Sequence, residues 1–203
     1  MPTLPESAIT NLLTPYLPEI PTALPLQLST YLDLLLKWNA RTNLTAIRDP
    51  EEIVRRHFGE SLFAARHIAP GTQTLLDFGS GAGFPGLPIA LLRPEIAVTL
   101  AESQNKKATF LREAVRTLNL TTEVWSNRVE AMPATRRFDA VALRAVDNMD
   151  AALPEAITRI AGGGQLVLLT SAASAPADGE TVPLPGSQST ILYLQTTLGN
   201  PLT

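Results

Sequence analysis

The chain reads as a doubly wound α/β fold of the Rossmann-like kind, a mainly parallel sheet flanked by helices, with a helical extension ahead of it. Three observations predict this. Short apolar strands alternate with amphipathic helices from Thr74 onward. A glycine-rich turn at residues 77–86 joins the first strand to its helix. The first third carries helix signals and no strand alternation.

The elements follow in order. Residues 1–25 contain Pro2, Pro5, Pro15, Pro18, Pro21 and Pro25 and predict short helices or turns. Leu28, Leu32, Leu35 and Leu36 recur at helical spacing over 26–39. The next helix has a clear start: Asp49 caps it, Pro50 suits the first turn, and Glu52 completes a capping-box spacing. Ile53, Val54, Phe58, Leu62 and Phe63 form its apolar face, and Pro70-Gly71 ends it near residue 68. Strands are predicted at 74–78, 97–101, 123–125, 138–143, 165–170 and 191–195. Helices are predicted from the glycine turn to Leu91, over 106–118, and over 150–160 with Pro154 near the first turn. Residues 1–70 are thus the helical extension and 71–203 the core, together one compact domain.

Composition excludes several functions. There is no cysteine among 203 residues, hence no disulfide, cysteine-ligated zinc or cysteine nucleophile. His57 and His67 are the only histidines and make a poor ligand set, so no metal is expected. No stretch reads as a signal peptide or membrane span; the cytoplasm is the expected compartment and a monomer the expected state. Net charge is −3, yet residues 37–144 hold 15 of the 16 basic residues and 11 of the 19 acids. That basic middle permits a local anionic partner or a solvated, salt-laced surface.

The glycine loop carries the chemistry. Gly79, Gly81, Gly83 and Gly86 let the backbone turn tightly and approach a ligand without a Cβ between. Gly81, Gly83 and Gly86 also satisfy a dinucleotide spacing. Two carboxylates argue for a different ligand. Asp77, just before Gly79, would oppose a pyrophosphate and favour a ligand bearing ammonium and sulfonium groups. Glu102, ending the second strand, is placed to accept hydrogen bonds from both hydroxyls of a ribose.

Other segments extend the pattern: residues 38–46 (WNARTNLTA), Arg56-His57 with Glu60-Ser61-Leu62, Glu102-Ser103, Lys106-Lys107, residues 127–130 (NRVE), and Leu143-Arg144-Ala145. With these, residues 26–170 resemble the class I S-adenosylmethionine methyltransferases. More closely they resemble the RsmG (GidB) family, which methylates N7 of a guanine in bacterial 16S ribosomal RNA. The resemblance implies S-adenosylmethionine as cofactor and cofactor contacts at Gly79, Phe84, Val129, Glu130 and Arg144. It implies 16S RNA, or a precursor of the small ribosomal subunit, as partner. Two departures from the family pattern are Glu60, where aspartate is common, and the absence of a lysine ending the fifth strand, which reads Leu169-Thr170-Ser171.

Missing devices agree with that target. Pyrimidine C5 methylation uses a cysteine, and there is none. The common 2′-hydroxyl machinery uses two lysines at the sheet edge, whereas the lysines here are Lys37, Lys106 and Lys107. Exocyclic amine methylation uses an Asn/Asp-Pro-Pro-aromatic run where this chain has Leu143-Arg144-Ala145-Val146. Guanine N7 presents a free lone pair and loses no proton, so alignment and electrostatics suffice and no acid–base pair is expected; Arg144 is the one candidate for direct assistance. The base lies in a groove that side chains scarcely enter in A-form RNA, so a loop or an unstacked base is expected as substrate. Arg41, Arg55, Arg56, Lys106, Lys107 and Arg144 are candidates for the flanking phosphates. Asn39 and Asn43 are candidates for RNA contact or for turn capping, and His57 reads as structural. The alternative function is a small-molecule methyltransferase with a helical lid.

Overall fold

The structure is a computed structural model that describes residues 2–146 and 148–197. Residue 147 and the end of the expected core, 198–203, lie outside the described residues. Five parallel strands form the body of the sheet: β1 (Thr74–Phe78), β2 (Ala97–Ala101), β3 (Glu123–Trp125), β4 (Phe138–Arg144) and β5 (Ile160–Ser171). Two antiparallel strands, β6 (Glu180–Pro183) and β7 (Thr190–Thr196), extend it, giving the order β3-β2-β1-β4-β5-β7-β6. The order reverses at β1, between β2 and β4. Ligands of doubly wound sheets bind at the carboxyl ends of strands at such a point.

Helices α5 (Gly86–Leu92), α6 (Asn105–Thr117) and α7 (Met149–Thr158) follow β1, β2 and β4. The extension contributes α1 (Glu6–Leu13), α2 (Leu24–Asn39), α3 (Pro50–Glu52) and α4 (Glu60–Arg66). A π-helical stretch, Ile53–Gly59, joins α3 to α4 while the backbone stays helical throughout. Asp49 caps its start as expected, accepting from the Glu52 amide at 2.8 Å.

Alternation along each strand sorts side chains to two faces. Leu75, Ala140 and Ala142 pack with Leu28, Tyr31, Leu32 and Leu35 of α2 and with Phe110 of α6. Leu76, Phe78, Val141 and Leu143 pack on the other face with Ala152 and Ala156 of α7. The extension therefore contributes side chains to the first core. The same parity sends Asp77 and Arg144 toward the extension.

Three expectations need correction. Pro154 sits in the interior of α7, because the helix already begins at Met149. The fifth strand begins at Ile160, not 165; it runs through the glycines with an irregular register opposite Phe138–Ala140, and Gly163 adopts φ +79°. β6 escaped prediction, being four residues long and largely exposed, with no alternation to reveal it.

Among the described residues no helix is long and apolar enough to cross a membrane, and no His/Asp/Glu cluster suits a metal.

Candidate active site

The loop after β1 turns on Gly79, Gly81 and Gly83, with φ of +72°, +55° and +92°. Its own amides close it: Ser80 donates to the Ala101 carbonyl at 2.9 Å, and Gly83 to the Ser80 carbonyl at 2.6 Å. Glu102 ties it to the end of β2. One carboxylate oxygen accepts from the Gly81 amide at 3.0 Å and the other from the Gln104 amide at 2.7 Å. Each oxygen keeps a further lone pair for a ligand.

A cleft of about 840 Å³ opens over this loop. Of the residues expected to hold a cofactor, Gly79, Gly81, Phe84, Glu102, Val129, Glu130 and Arg144 all line it. Asp77 and Gly83 do not, and the expectation for both is corrected. Asp77 is fully buried beneath the loop, where it accepts from the Gly86 amide at 3.1 Å and leaves its other oxygen unpartnered. Burial pushes its carboxyl up to about 7, against the hydrogen bond from the Gly86 amide. Gly83 also faces inward. A Cβ there would lie 2.6 Å from the Tyr31 hydroxyl and 2.4 Å from Leu87.

The opposite wall comes from the extension, with Thr45, Ile47, Arg56 and His57. Asn39 makes this possible. Its side chain accepts from the Leu44 and Thr45 amides at 2.9 and 3.1 Å and donates to the Thr45 carbonyl at 3.0 Å. It is buried and fully engaged, so it is a loop organiser and not an RNA contact. Asn43 is exposed but accepts from Arg48 at 3.0 Å. The clamped loop delivers the Thr45 hydroxyl to His57 Nε2 at 2.7 Å. His57 stacks on Phe84, with ring centroids 4.6 Å apart and planes 19° apart. Burial, then Arg144 and Arg56, depress its pKa to about 3, so the ring is neutral at pH 7.

Arg144 closes the wall. It donates to Glu60 and to the Arg56 carbonyl, each at 2.7 Å, and more loosely to the His57 carbonyl. The His57 carbonyl accepts as well from the Glu60 amide and, at 2.6 Å, from the Ser61 hydroxyl. Ala145, the next residue, sits at φ +48°, a conformation that costs a non-glycine residue about 1 kcal/mol.

Of the other expected RNA residues, Lys107 lines the cleft, while Arg41 and Lys106 are exposed outside it. Arg55 faces a second cavity of about 520 Å³, which it shares with Arg56. Sequence reasoning missed Tyr31, whose hydroxyl donates to the Ala82 carbonyl while its ring stacks on Phe84. It also missed the site roles of Thr45 and Glu60. For Thr45 the available signal was the two asparagines flanking its loop; for Glu60 it was spacing, four residues after Arg56.

The GidB family, described as rRNA small subunit methyltransferase G, matches residues 26–177. The chain belongs to this family. A ribosomal RNA small subunit methyltransferase G from Xanthomonas euvesicatoria is 43% identical over 140 residues, 68% of this chain and 65% of the relative. One from Stenotrophomonas maltophilia is 47% identical over 128 residues, 63% of this chain and 59% of the relative. The matched region thus spans just under two thirds of these relatives' length. Solved structures share the fold. A ribosomal protein L11 methylase from Lactobacillus delbrueckii superposes with a TM-score of 0.59 at 11% identity, covering 70% of this chain and 79% of the other. A Bacillus cereus O-methyltransferase solved with SAH gives 0.58 at 16% identity, covering 83% and 90%.

Proposed function

We propose that the chain is an S-adenosylmethionine-dependent methyltransferase that modifies N7 of a guanine in 16S RNA of the small ribosomal subunit, acting as a cytoplasmic monomer. One observation carries the reading: in a member of the GidB family, a single cleft joins a carboxylate-tethered glycine loop to an arginine- and histidine-bearing wall from the extension.

The residues fit the cofactor. Glu102 has lone pairs free for ribose hydroxyls, the loop offers backbone without Cβ atoms, and Val129 and Glu130, lining the same cleft, would hold the adenine. When bound, the cofactor supplies a methyl group already activated on a sulfonium centre. The chain's part is placement. The Gly81 amide is fixed by Glu102, and Phe84 is fixed between Tyr31 and His57. Arg56 and Lys107 offer positive charge at the rim for phosphates beside the target base. His57 is a poor base at neutral pH, in keeping with a target nitrogen that has no proton to lose. The small-molecule alternative gains no specific support from the site.

The test is mass mapping of methyl groups on 16S RNA from cells with and without the protein, followed by transfer of labelled methyl in vitro to subunits lacking the mark. Methyl transfer to guanine N7 is expected. Transfer only to protein or to small molecules would defeat the proposal.

A further inference from the structure

Three departures from ordinary structure meet at one point of the cleft wall. A carboxylate and a guanidinium are buried together: the side chains of Glu60 and Arg144 are 3% and 11% exposed. The helix bearing Glu60 carries a π turn whose Arg56 and His57 carbonyls accept from the same guanidinium. The residue after Arg144 is a left-handed alanine. Buried ion pairs add little stability over an apolar pair of the same volume, and strained backbone persists where the surroundings hold it for a purpose. The pair also forms a partition. Arg144 lines the cleft, and Glu60 lines the second cavity.

A lone guanidinium in this wall would repel any cationic ligand, and the low local dielectric would make that repulsion strong. Glu60 meets it at 2.7 Å and cancels the charge. Arg56 lies 3.8 Å from the same carboxylate but is half-exposed, where water screens it.

We propose that Glu60 is a positioning residue that seats Arg144 in the cleft wall and neutralises it there, so that the cleft accepts a cationic sulfonium donor. This rests on the reading of the cleft as a methyl-donor site. Its signature is a dependence on ligand charge. S-adenosylmethionine carries the sulfonium charge and S-adenosylhomocysteine does not, while the two otherwise make the same contacts.

The experiment is titration calorimetry of the full chain with each compound. In Glu60→Gln, affinity for S-adenosylmethionine falls about tenfold more than affinity for S-adenosylhomocysteine. Glu60→Asp keeps the wild-type ratio. Arg144→Gln and the double variant Glu60→Gln/Arg144→Gln both keep the wild-type ratio, because a buried carboxylate deprived of its guanidinium takes up a proton and leaves the wall neutral. Equal losses for the two compounds in Glu60→Gln, as a purely structural role would give, overturn the proposal. If Glu60→Gln does not fold, Glu60→Leu is read in the same way, and equal losses for the two compounds overturn the proposal. Failure of the wild type to bind either compound defeats the reading of the cleft itself, a distinguishable result.

Discussion

Asp77 is ionised in the unfolded chain above its ordinary value of 3.8, but in the fold it holds its proton up to about 7 because burial removes the carboxylate from water. The folded state therefore binds the extra proton between those values, and stability falls as pH rises through that window. Below it both states are protonated, and above it both are ionised. A displacement of this size corresponds to about 4 kcal/mol as an upper bound. Asp77→Asn keeps a side-chain oxygen for the Gly86 amide and carries no charge, so it lacks this dependence. The assay is urea unfolding of both proteins at intervals from pH 4 to 8. The stability of the wild type minus that of Asp77→Asn should fall steadily between about pH 4 and 7 by a few kcal/mol, then level. The difference matters, because His57 contributes the opposite slope. Held neutral in the fold from about 3 upward, its contribution is fully present above pH 6.5 and is lost as pH falls toward 3. Parallel curves for wild type and Asp77→Asn would refute the argument that burial sets the Asp77 proton.

Tyr31→Phe removes the hydroxyl that holds the Ala82 carbonyl and should cost about 1 kcal/mol in urea unfolding while weakening S-adenosylmethionine in calorimetry. Gly83→Ala meets both a left-handed φ and a crowded Leu87–Tyr31 contact and should destabilise by roughly 2–3 kcal/mol; Gly81→Ala meets only the φ and should cost about 1. Thermal unfolding separates the two. The carbon resonances of the His57 ring, followed by NMR, should stay constant from pH 5 to 8, since the ring is neutral throughout. Arg55→Glu with Arg56→Glu should lower RNA affinity and flatten its salt dependence, read by filter binding at several salt concentrations.

Much of this was legible along the chain. β1, β2 and β3 fall where apolar runs between turn residues put them, and Asp49 caps its helix, because these features depend on neighbours in sequence. Gly79, Gly81, Phe84, Glu102 and Arg144 reach one cleft because a strand–turn–helix unit brings strand ends together by its own geometry. Asn39 was ambiguous at that level. An exposed amide and a buried clamp have the same local pattern, and only the packing of the 40–45 loop against α2 distinguishes them.

From residue types and spacing alone came the alternation of strands and helices, the glycine bend, the acid at the end of β2 and the absence of cysteine chemistry. Folding in three dimensions assigned the rest. It set Asp77 under the loop and out of the cleft lining, brought Tyr31 from 51 positions away onto the Ala82 carbonyl, and paired Arg144 with Glu60 across 84 residues. Contacts at such separation are made by closing the extension over the sheet. Which residue pairs with which cannot be read along the chain, because the partners share a neighbourhood only once both cores are packed.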